Sequence, residues 1–312
     1  MLGTAVLGLA PREDGVDALI GAALDAGINV IDCANTYGNR PQFDREGAPA
    51  AQQRRHAEEL LGRALRGRRD DVVLCTKVGE PVGDGVNDRG ASRWHILREV
   101  ERSLRRLDTD HIDVYHVHLP DPDTAIDETL GALDVLVRQG KVRYVGLSRF
   151  SGWELTQAVT TANRLGLAVP VLDQVAYSMI NRGVEAEVIP AAAELGIAIT
   201  CFSPLAGGAL AGAEVMARTY TGYRRWGAPF DYTPEQKQAA GELGNLAQSW
   251  GVRPAHLALR WLLARPTVAA AVIGPESPDE LRESVSVFDV SLDDAQLAAL
   301  DEIGRSVPGM PG

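Results

Sequence analysis

The sequence predicts an α/β protein with one (β/α)8 barrel, in which eight parallel strands form a closed cylinder inside a ring of helices. Eight short apolar, β-branched runs alternate with helical patterns along the 312 residues, which is the order expected of a parallel barrel. A run such as residues 197–202 (IAITCF) is continuous rather than alternating, as is typical of strands buried on both faces. Gly27, Gly140, Gly166 and Gly196 each follow a helical segment, where a left-handed residue commonly ends the helix.

These runs and segments have definite places along the chain. The predicted strands are residues 4–7, 29–32, 72–77, 112–118, 142–148, 171–176, 197–203 and 268–273. The predicted helices are residues 15–26, 57–66, 93–107, 125–138, 152–165, 185–194, 234–250, 254–264, 278–287 and 292–303. Since α/β barrels of about 250 residues or more form one domain, residues 1–312 are predicted to be a single domain.

Two segments are longer than simple barrel connections. Residues 39–55, after the second strand, are polar and contain glycine and proline. The segment 205–233, after the seventh strand, carries Gly207, Gly208, Tyr220, Tyr223, Trp226, Phe230 and Tyr232. Long loops inside a compact domain are usually lids or binding loops. Both are predicted to leave from the C-terminal face of the barrel, which is where (β/α)8-barrel enzymes in general place their active sites.

Composition excludes several classes of function. The net charge of −11 and the pI near 5.1 argue against nucleic acid or an anionic membrane as a partner, because both require a basic face. The three cysteines show no C-x-x-C spacing, so neither a disulfide framework nor a metal site is expected. No secretory signal and no apolar stretch of membrane-spanning length is found. A cytoplasmic location is therefore expected.

Four polar residues stand at or just past the ends of predicted strands. They are Asp32, Tyr37, Lys77 and His118, and a carboxylate, a phenol, an ammonium and an imidazole are suited to carbonyl reduction once a hydride donor is present. Taken singly, each has a structural explanation, such as an ion pair, a turn or a capped strand end. His116 stands two residues before His118, and strand residues two apart point to the same side, so geometry alone does not choose between them.

Seven short motifs place these residues in a known pattern. They are Asp32-Cys33-Ala34-Asn35-Thr36-Tyr37-Gly38, Thr76-Lys77, His118-Leu119-Pro120-Asp121, Gly146-Leu147-Ser148, Gln174-Val175-Ala176-Tyr177, Ser203-Pro204-Leu205 and Val272-Ile273-Gly274. In their joint order and spacing the chain resembles the aldo-keto reductases over nearly its whole length.

The resemblance implies a nicotinamide-dependent reduction of an aldehyde or ketone to an alcohol. It implies that Tyr37 donates the proton and that Lys77, held charged by Asp32, lowers the pKa of that tyrosine. His118, which stands beside Pro120-Asp121 as the family's histidine does, is implied to hydrogen-bond the carbonyl oxygen. His116 is implied to be non-catalytic. The expected partner is a small carbonyl compound.

The resemblance also implies a set of cofactor contacts. Tyr177 is expected to stack on the nicotinamide, and Ser148 and Gln174 to bind its carboxamide. The remaining expected contacts are Arg149, Ser203, Pro204, Leu205, Gly207, Gly274, Glu276, Ser277 and Arg282. Arg149 replaces an asparagine that is common in the family, although the potassium-channel β subunits of that family carry arginine there. No Gly-x-Gly-x-x-Gly follows the first strand, so a Rossmann domain is not supported.

The choice between NADP(H) and NAD(H) depends on the turn after the eighth strand. Residues 274–280 contain no base, whereas many relatives carry arginine or lysine there for the 2′-phosphate. Glu276 would suit a free ribose 2′-hydroxyl. The family habit favours NADP(H), with Arg282 or an arginine of the 205–233 loop as the phosphate partner, and NADP(H) is predicted ahead of NAD(H).

Two alternatives remain open. One is a redox-sensing regulatory subunit that retains the cofactor site but acts by binding another protein. The other is a reductase of a keto-deoxy sugar, possibly nucleotide-linked, in secondary metabolism, for which the polar loop 39–55 is suitable. The sequence begins at the first barrel strand, without the N-terminal hairpin common in the family, so the native chain is expected either to extend upstream or to form the barrel without it. The oligomeric state is not indicated.

Overall fold

A computed structural model describes residues 1–41, 44, 48–212, 215, 232–305 and 307. Its eight strands lie in sequence order, each parallel to its neighbours. They are β1 (Leu2–Gly3), β2 (Val30–Asp32), β3 (Val73–Val78), β4 (Ile112–Val117), β5 (Val142–Ser148), β6 (Leu172–Ala176), β7 (Ala198–Phe202) and β8 (Val268–Ala271). Leu2 pairs in parallel with Ile273, just beyond β8. The sheet therefore closes into the predicted (β/α)8 barrel.

Ten α-helices lie in the described part of the chain. They are α1 (Val16–Asp25), α2 (Ala57–Ala64), α3 (Arg93–Leu107), α4 (Ile126–Arg138), α5 (Gly152–Leu165), α6 (Val188–Leu195), α7 (Pro234–Trp250), α8 (Pro254–Leu263), α9 (Pro278–Val285) and α10 (Asp294–Arg305). Each predicted helix end lies within three residues of the observed one. Gly27, Gly140, Gly166 and Gly196 all have positive φ, which confirms them as helix stops.

The prediction for the first strand was wrong. Residues 4–7 form a turn, and β1 ends at Gly3. The backbone N–H of Thr4 and its Oγ1 both donate to the carbonyl oxygen of Asp32, at 3.0 and 2.8 Å. The N–H of Leu7 then donates to the carbonyl of Thr4. The chain therefore leaves the sheet at Thr4 because this side chain holds it against the end of β2. The other seven predicted strands agree with the structure to within two residues at each end.

The helices cover the outer surface of the barrel. Strand residues such as Ile31, Tyr115 and Leu147 belong to one buried apolar cluster with helix residues such as Leu61 and Leu133. Burial of this apolar area supplies most of the driving force for folding. Among the helices within the described ranges, none is both long and apolar enough to cross a membrane.

The loop after β2 is organised by one arginine. The guanidinium of Arg54 is buried and donates to the carbonyl oxygens of Gly38, Arg40 and Pro49 at 2.6 to 2.7 Å, and to a carboxylate oxygen of Asp44 at 2.6 Å. Four hydrogen bonds from one planar group fix the path of the chain directly after Tyr37. The described residues of this loop are therefore tied to the end of the turn that carries Tyr37.

The long segment after β7 starts from the same face. A 3-10 helix, Ala206–Ala211, follows β7, and the hydroxyl of Tyr232 donates to the carbonyl of Ala206 at 2.8 Å. Four of the aromatic residues predicted to belong to a binding loop lie outside the described residues; these are Tyr220, Tyr223, Trp226 and Phe230.

Candidate active site

The four predicted catalytic residues meet at the C-terminal end of the barrel. Lys77 Nζ donates to both carboxylate oxygens of Asp32 at 2.7 Å and to the carbonyl of Cys33 at 2.9 Å. It also donates to the phenolic oxygen of Tyr37 at 3.3 Å. The ring of His118 lies edge-on to that of Tyr37, with centroids 5.8 Å apart. All four residues are buried.

Strand register explains why residues so distant in sequence come together. Asp32 pairs with Cys75 across β2 and β3, and Lys77 lies two residues beyond Cys75, so its side chain points to the same side of the sheet. Tyr37 returns to this point through a turn that ends at Gly38, whose φ is +91°. A Cβ at Gly38 would lie 2.7 Å from the backbone nitrogen of Ala57. Only glycine fits this turn, because it tolerates both the φ and the close contact.

Burial and charge set the protonation of the Lys77–Tyr37 pair. Burial alone disfavours the lysine cation, but the negative charge of Asp32 and the adjacent Tyr37 outweigh it and raise the pKa of Lys77 above its ordinary value. Burial also raises the pKa of Tyr37 to about 12, although Lys77 acts in the opposite direction. Lys77 therefore lowers the pKa of Tyr37 as expected, but the larger effect of burial leaves that pKa above its ordinary value. Tyr37 is a protonated phenol at neutral pH.

The two neighbouring histidines have different surroundings. His118 lines a cavity at the C-terminal face of the barrel, whereas His116 does not line it and is fully buried. A Cβ at Gly146 would lie 2.5 Å from the ring of His116, so the glycine of β5 makes room for this imidazole. Burial lowers the pKa of His116 to about 4 and that of His118 well below 6.5, with Lys77 adding to both shifts. Both imidazoles are neutral at pH 7.

This burial predicts sensitivity to acid. The unfolded chain takes up a proton on His116 near pH 6.5, while the folded chain does not until about pH 4. The free energy of unfolding is therefore unaffected by His116 above pH 6.5 and decreases as the pH falls from 6.5 toward 4. Each pH unit in that window costs up to about 1.4 kcal/mol per histidine. Between pH 7 and pH 5, we expect His116→Leu to lose about 2 kcal/mol less stability than the wild type.

Denaturant unfolding of both proteins at the two pH values measures this difference. Equal losses in the wild type and in His116→Leu would show that His116 is not the responsible group.

A cavity of about 610 Å³ extends from this cluster along the C-terminal face. Its size is within the range of small-molecule and cofactor sites. Eleven of the predicted site residues line it: Asp32, Tyr37, His118, Ser148, Arg149, Gln174, Ser203, Pro204, Leu205, Gly207 and Gly274. Lys77 does not line the cavity, but it donates a hydrogen bond to Tyr37, which does.

Comparison with known proteins agrees with this arrangement. The sequence profile described as the Aldo/keto reductase family matches residues 1–305. The chain belongs to the aldo/keto reductase family. It is therefore an oxidoreductase by family, and nicotinamide cofactors are general in that family.

The relatives of this aldo/keto reductase carry different names. An uncharacterized oxidoreductase, YrpG, of Bacillus subtilis is 37% identical over 97% of this chain and 90% of its own length. A probable voltage-gated potassium channel subunit beta of Oryza sativa subsp. japonica is 33% identical over 88% of this chain and 81% of its own length. The L-glyceraldehyde 3-phosphate reductase of Escherichia coli K12 is 29% identical over 91% of this chain and 82% of its own length.

In this aldo/keto reductase, the two residues expected to bind the carboxamide are adjacent to the catalytic cluster. Gln174 Nε2 donates to Asp32 Oδ1 at 2.9 Å, and Ser148 Oγ donates to the backbone carbonyl of Gln174 at 2.9 Å. Each side chain thereby uses a donor within the protein and retains an oxygen that can accept. Acceptors of this kind suit the NH2 group of a carboxamide.

Tyr177 does not occupy the position expected of a nicotinamide-stacking residue. Its hydroxyl donates to Glu185 Oε1 at 2.5 Å, its ring packs edge-on against Trp261, and it is not among the residues that line the cavity. Phe202, at the end of β7, does line the cavity, and the guanidinium of Arg149 lies 5.3 Å from its ring centroid. Phe202, and not Tyr177, therefore has its ring at the wall of the cavity. The sequence signal was the aromatic residue directly before Ser203-Pro204-Leu205.

The backbone after β7 suits a pyrophosphate. Ser203, Gly207 and Gly208 have φ values of 52°, 65° and 107°, and all three line the cavity. Left-handed backbone of this kind is common where a protein binds an anion. Small side chains leave this wall open to an anion. The residues after β7 therefore fit the pyrophosphate of the nicotinamide cofactors that are general in the family.

The far end of the cavity differs from the prediction. Arg282 is exposed, bonds to Asp279 and does not line the cavity. Ser277 caps α9 by accepting from the N–H of Glu280, and the N–H of Glu276 donates to the Glu280 carboxylate. The wall here is formed by Gly274, Pro275, Glu280, Glu283 and Ser284, together with Arg253, Pro254, Ala255 and His256. Arg253, which bonds to Glu283, carries no motif and was missed in the sequence.

Proposed function

We propose that this chain reduces an aldehyde or ketone to an alcohol with a nicotinamide cofactor, and that Tyr37 is the proton donor. The observation that carries the proposal is the buried Asp32–Lys77 pair, whose ammonium lies 3.3 Å from the hydroxyl of Tyr37 at the cavity wall. When bound, the reduced nicotinamide supplies a hydride. Ser148 and Gln174 orient its carboxamide, and Phe202 covers one face of its ring.

The proton step rests on the Tyr37 hydroxyl. Lys77 donates to the phenolic oxygen, so the phenol's own proton is left for another acceptor, which we assign to the substrate carbonyl oxygen. As negative charge develops on that oxygen, Tyr37 transfers the proton. The resulting phenolate is stabilised by the ammonium of Lys77, which Asp32 keeps charged. Burial strengthens each of these interactions by excluding water.

Turnover tests the proposal directly. Oxidation of the reduced cofactor is followed with a panel of aldehydes and ketones. A folded protein that binds the cofactor and reduces none of them would contradict the proposed function. That result would favour a redox-sensing regulatory subunit, a second candidate supported by the identity to potassium channel β subunits. The relative that is an L-glyceraldehyde 3-phosphate reductase supports including hydroxylated aldehydes and deoxy-sugar ketones in the panel.

The two histidines offer a test of which one acts on the substrate. We expect His118→Ala to lower turnover by about 10²-fold or more, since it removes a positioned polar group from the cavity wall. We expect His116→Ala to retain most of the activity, because His116 lies outside the cavity. Turnover at saturating cofactor is compared after circular dichroism has shown that both variants are folded. Equal losses would contradict the assignment of His118.

We propose NADP(H) ahead of NAD(H), with Arg253 as a partner of the 2′-phosphate. Arginine suits phosphate because it presents several donors in one plane. We expect Arg253→Gln to weaken NADPH binding about tenfold relative to NADH. Arg282→Gln is the matched control, because Arg282 bonds to Asp279 outside the cavity. If only the Arg282 variant changes the ratio of dissociation constants, the earlier assignment of Arg282 is right and that of Arg253 is wrong.

A further inference from the structure

Arg149, directly after β5, places a cation at the wall of the cavity. Its guanidinium lies 5.3 Å from the ring centroid of Phe202 and 3.8 Å from a carboxylate oxygen of Glu80. The second distance is too long for a hydrogen bond, and the guanidinium makes no hydrogen bond to the residues that the structure describes. The Arg149 side chain is 38% exposed, so its N–H groups are accessible to a ligand.

The backbone holds Arg149 in a conformation that most residues avoid. Its φ is +62°, which is in the left-handed region that is unfavourable for a residue with a Cβ. Its backbone N–H donates to the carbonyl of Gln174 at 3.0 Å and fixes this conformation. Strain of this kind is often found where a side chain is used for binding. The side chain of Arg149 therefore has a fixed origin at the mouth of the barrel.

The charges around Arg149 leave an excess of positive charge. Glu80 faces Arg149, but its carboxylate lies closer to Arg40, at 2.6 Å from Nη1. One carboxylate thus faces two guanidinium groups. Deeper in the site, the charge of Lys77 is balanced by Asp32 at 2.7 Å. Of these three cations, Arg149 is the one with no carboxylate within hydrogen-bonding distance in the described part of the chain.

Arg149 lies on the side of the cavity where the carbonyl group is reduced. The Glu80 carboxylate that is 3.8 Å from its guanidinium is also 3.5 Å from Nδ1 of His118, and the charge of Arg149 helps to lower the pKa of His118. Gly207 and Gly208, which suit the pyrophosphate, follow β7 instead. An anion bound by Arg149 beside His118 is therefore part of the substrate.

We propose that Arg149 is a specificity-determining residue that binds a carboxylate or phosphate of the substrate, so that carbonyl compounds with such a group near the carbonyl are preferred. This inference rests on the proposed reduction of a carbonyl compound. Both groups are oxyanions that match the planar donors of arginine. The chain as a whole carries a net charge of −11, so an anionic substrate needs a local cation of this kind.

Substrate preference is measured with two pairs of compounds. Pyruvate is compared with butane-2,3-dione, in which a neutral acetyl group replaces the carboxylate, and dihydroxyacetone phosphate is compared with dihydroxyacetone. In each pair, kcat/KM of the anion is divided by kcat/KM of the neutral compound, which cancels any effect of a variant on the cofactor. In Arg149→Gln we expect this ratio to fall about tenfold or more for the oxyanion that the site binds, the value of one charge-assisted hydrogen bond.

Two further variants test the role of charge. Glu80→Gln removes the carboxylate that competes for Arg149, so the same ratio should rise. Arg138→Gln is the matched control, because Arg138 pairs with Asp134 on α4 and does not line the cavity, and it should leave the ratio unchanged. A merely structural role of Arg149 would change both compounds of a pair alike.

Calorimetry gives a reading that does not depend on turnover. Oxamate, which carries a carboxylate next to an amide that is not reduced, and inorganic phosphate are titrated into the cofactor-loaded protein. We expect at least one of them to bind, with a Kd that rises about tenfold in Arg149→Gln.

The outcomes are distinct. A fall in one pair alone identifies the oxyanion as carboxylate or phosphate. Unchanged ratios in both pairs overturn the proposal, and weaker NADPH binding in the same variant would then assign Arg149 to the cofactor. Absence of turnover with every carbonyl compound contradicts the proposed function itself, and in that case calorimetry still decides whether Arg149 binds an oxyanion.

Discussion

Replacement of Tyr37 by phenylalanine is expected to lower kcat for carbonyl reduction by about 10³-fold or more, at the upper end of what one acid–base group contributes. The variant keeps the ring that packs against His118 and loses only the hydroxyl that lies 3.3 Å from Lys77 Nζ. No other described donor of the cavity has a lysine beneath it. The chemical step should fail while the rest of the site is intact.

Cofactor binding separates this result from general damage. The dissociation constant of the reduced cofactor in Tyr37→Phe should stay within about threefold of the wild type, a difference below 1 kcal/mol. Tyr115→Phe is the matched control, because Tyr115 is also a buried tyrosine but lies outside the cavity. Turnover of Tyr37→Phe within a few-fold of the wild type would remove Tyr37 from the role of acid.

Replacement of Lys77 by methionine is expected to affect both activity and stability. It leaves the Asp32 carboxylate buried without its cation, and breaking a buried pair in this way typically costs about 3 to 5 kcal/mol. It also removes the charge that stabilises the Tyr37 phenolate, so reduction should fall by at least about 10²-fold. Urea unfolding and turnover measure the two effects separately.

A double variant distinguishes charge from packing. In Asp32→Asn/Lys77→Met the unpaired charge is gone, so a large part of the lost stability should return, while activity should stay low because no cation faces Tyr37. Equal instability of the single and double variants would mean that the volume of the lysine matters and its charge does not.

The barrel and the catalytic cluster could be predicted because each depends on local patterns. Asp32, Lys77 and His118 stand at or beside strand ends, and the C-terminal ends of parallel barrel strands converge on one face. Seven of the eight strands follow from apolar runs. The first did not, because its end is set by the bonds of Thr4 to Asp32, a contact between residues far apart in sequence.

Other parts of the site depend on packing that a single sequence does not show. Tyr177 and Phe202 are both aromatic residues at the C-terminal ends of neighbouring strands, and only the folded chain shows that Tyr177 turns toward Glu185. The net pKa of Tyr37 depends on whether burial or Lys77 is stronger, which cannot be judged before the depth of the site is known.

The close approach of Gly146 to His116 has a consequence for how this barrel can vary. The two positions are paired on the neighbouring strands β4 and β5, and the imidazole already fills the space beside Gly146. A methyl group gained at position 146 has to be matched by atoms lost at position 116, because a packed interior has no spare space to absorb it. Substitution at either position is thus a paired event: small with large or large with small leaves the barrel closed, and two large residues do not.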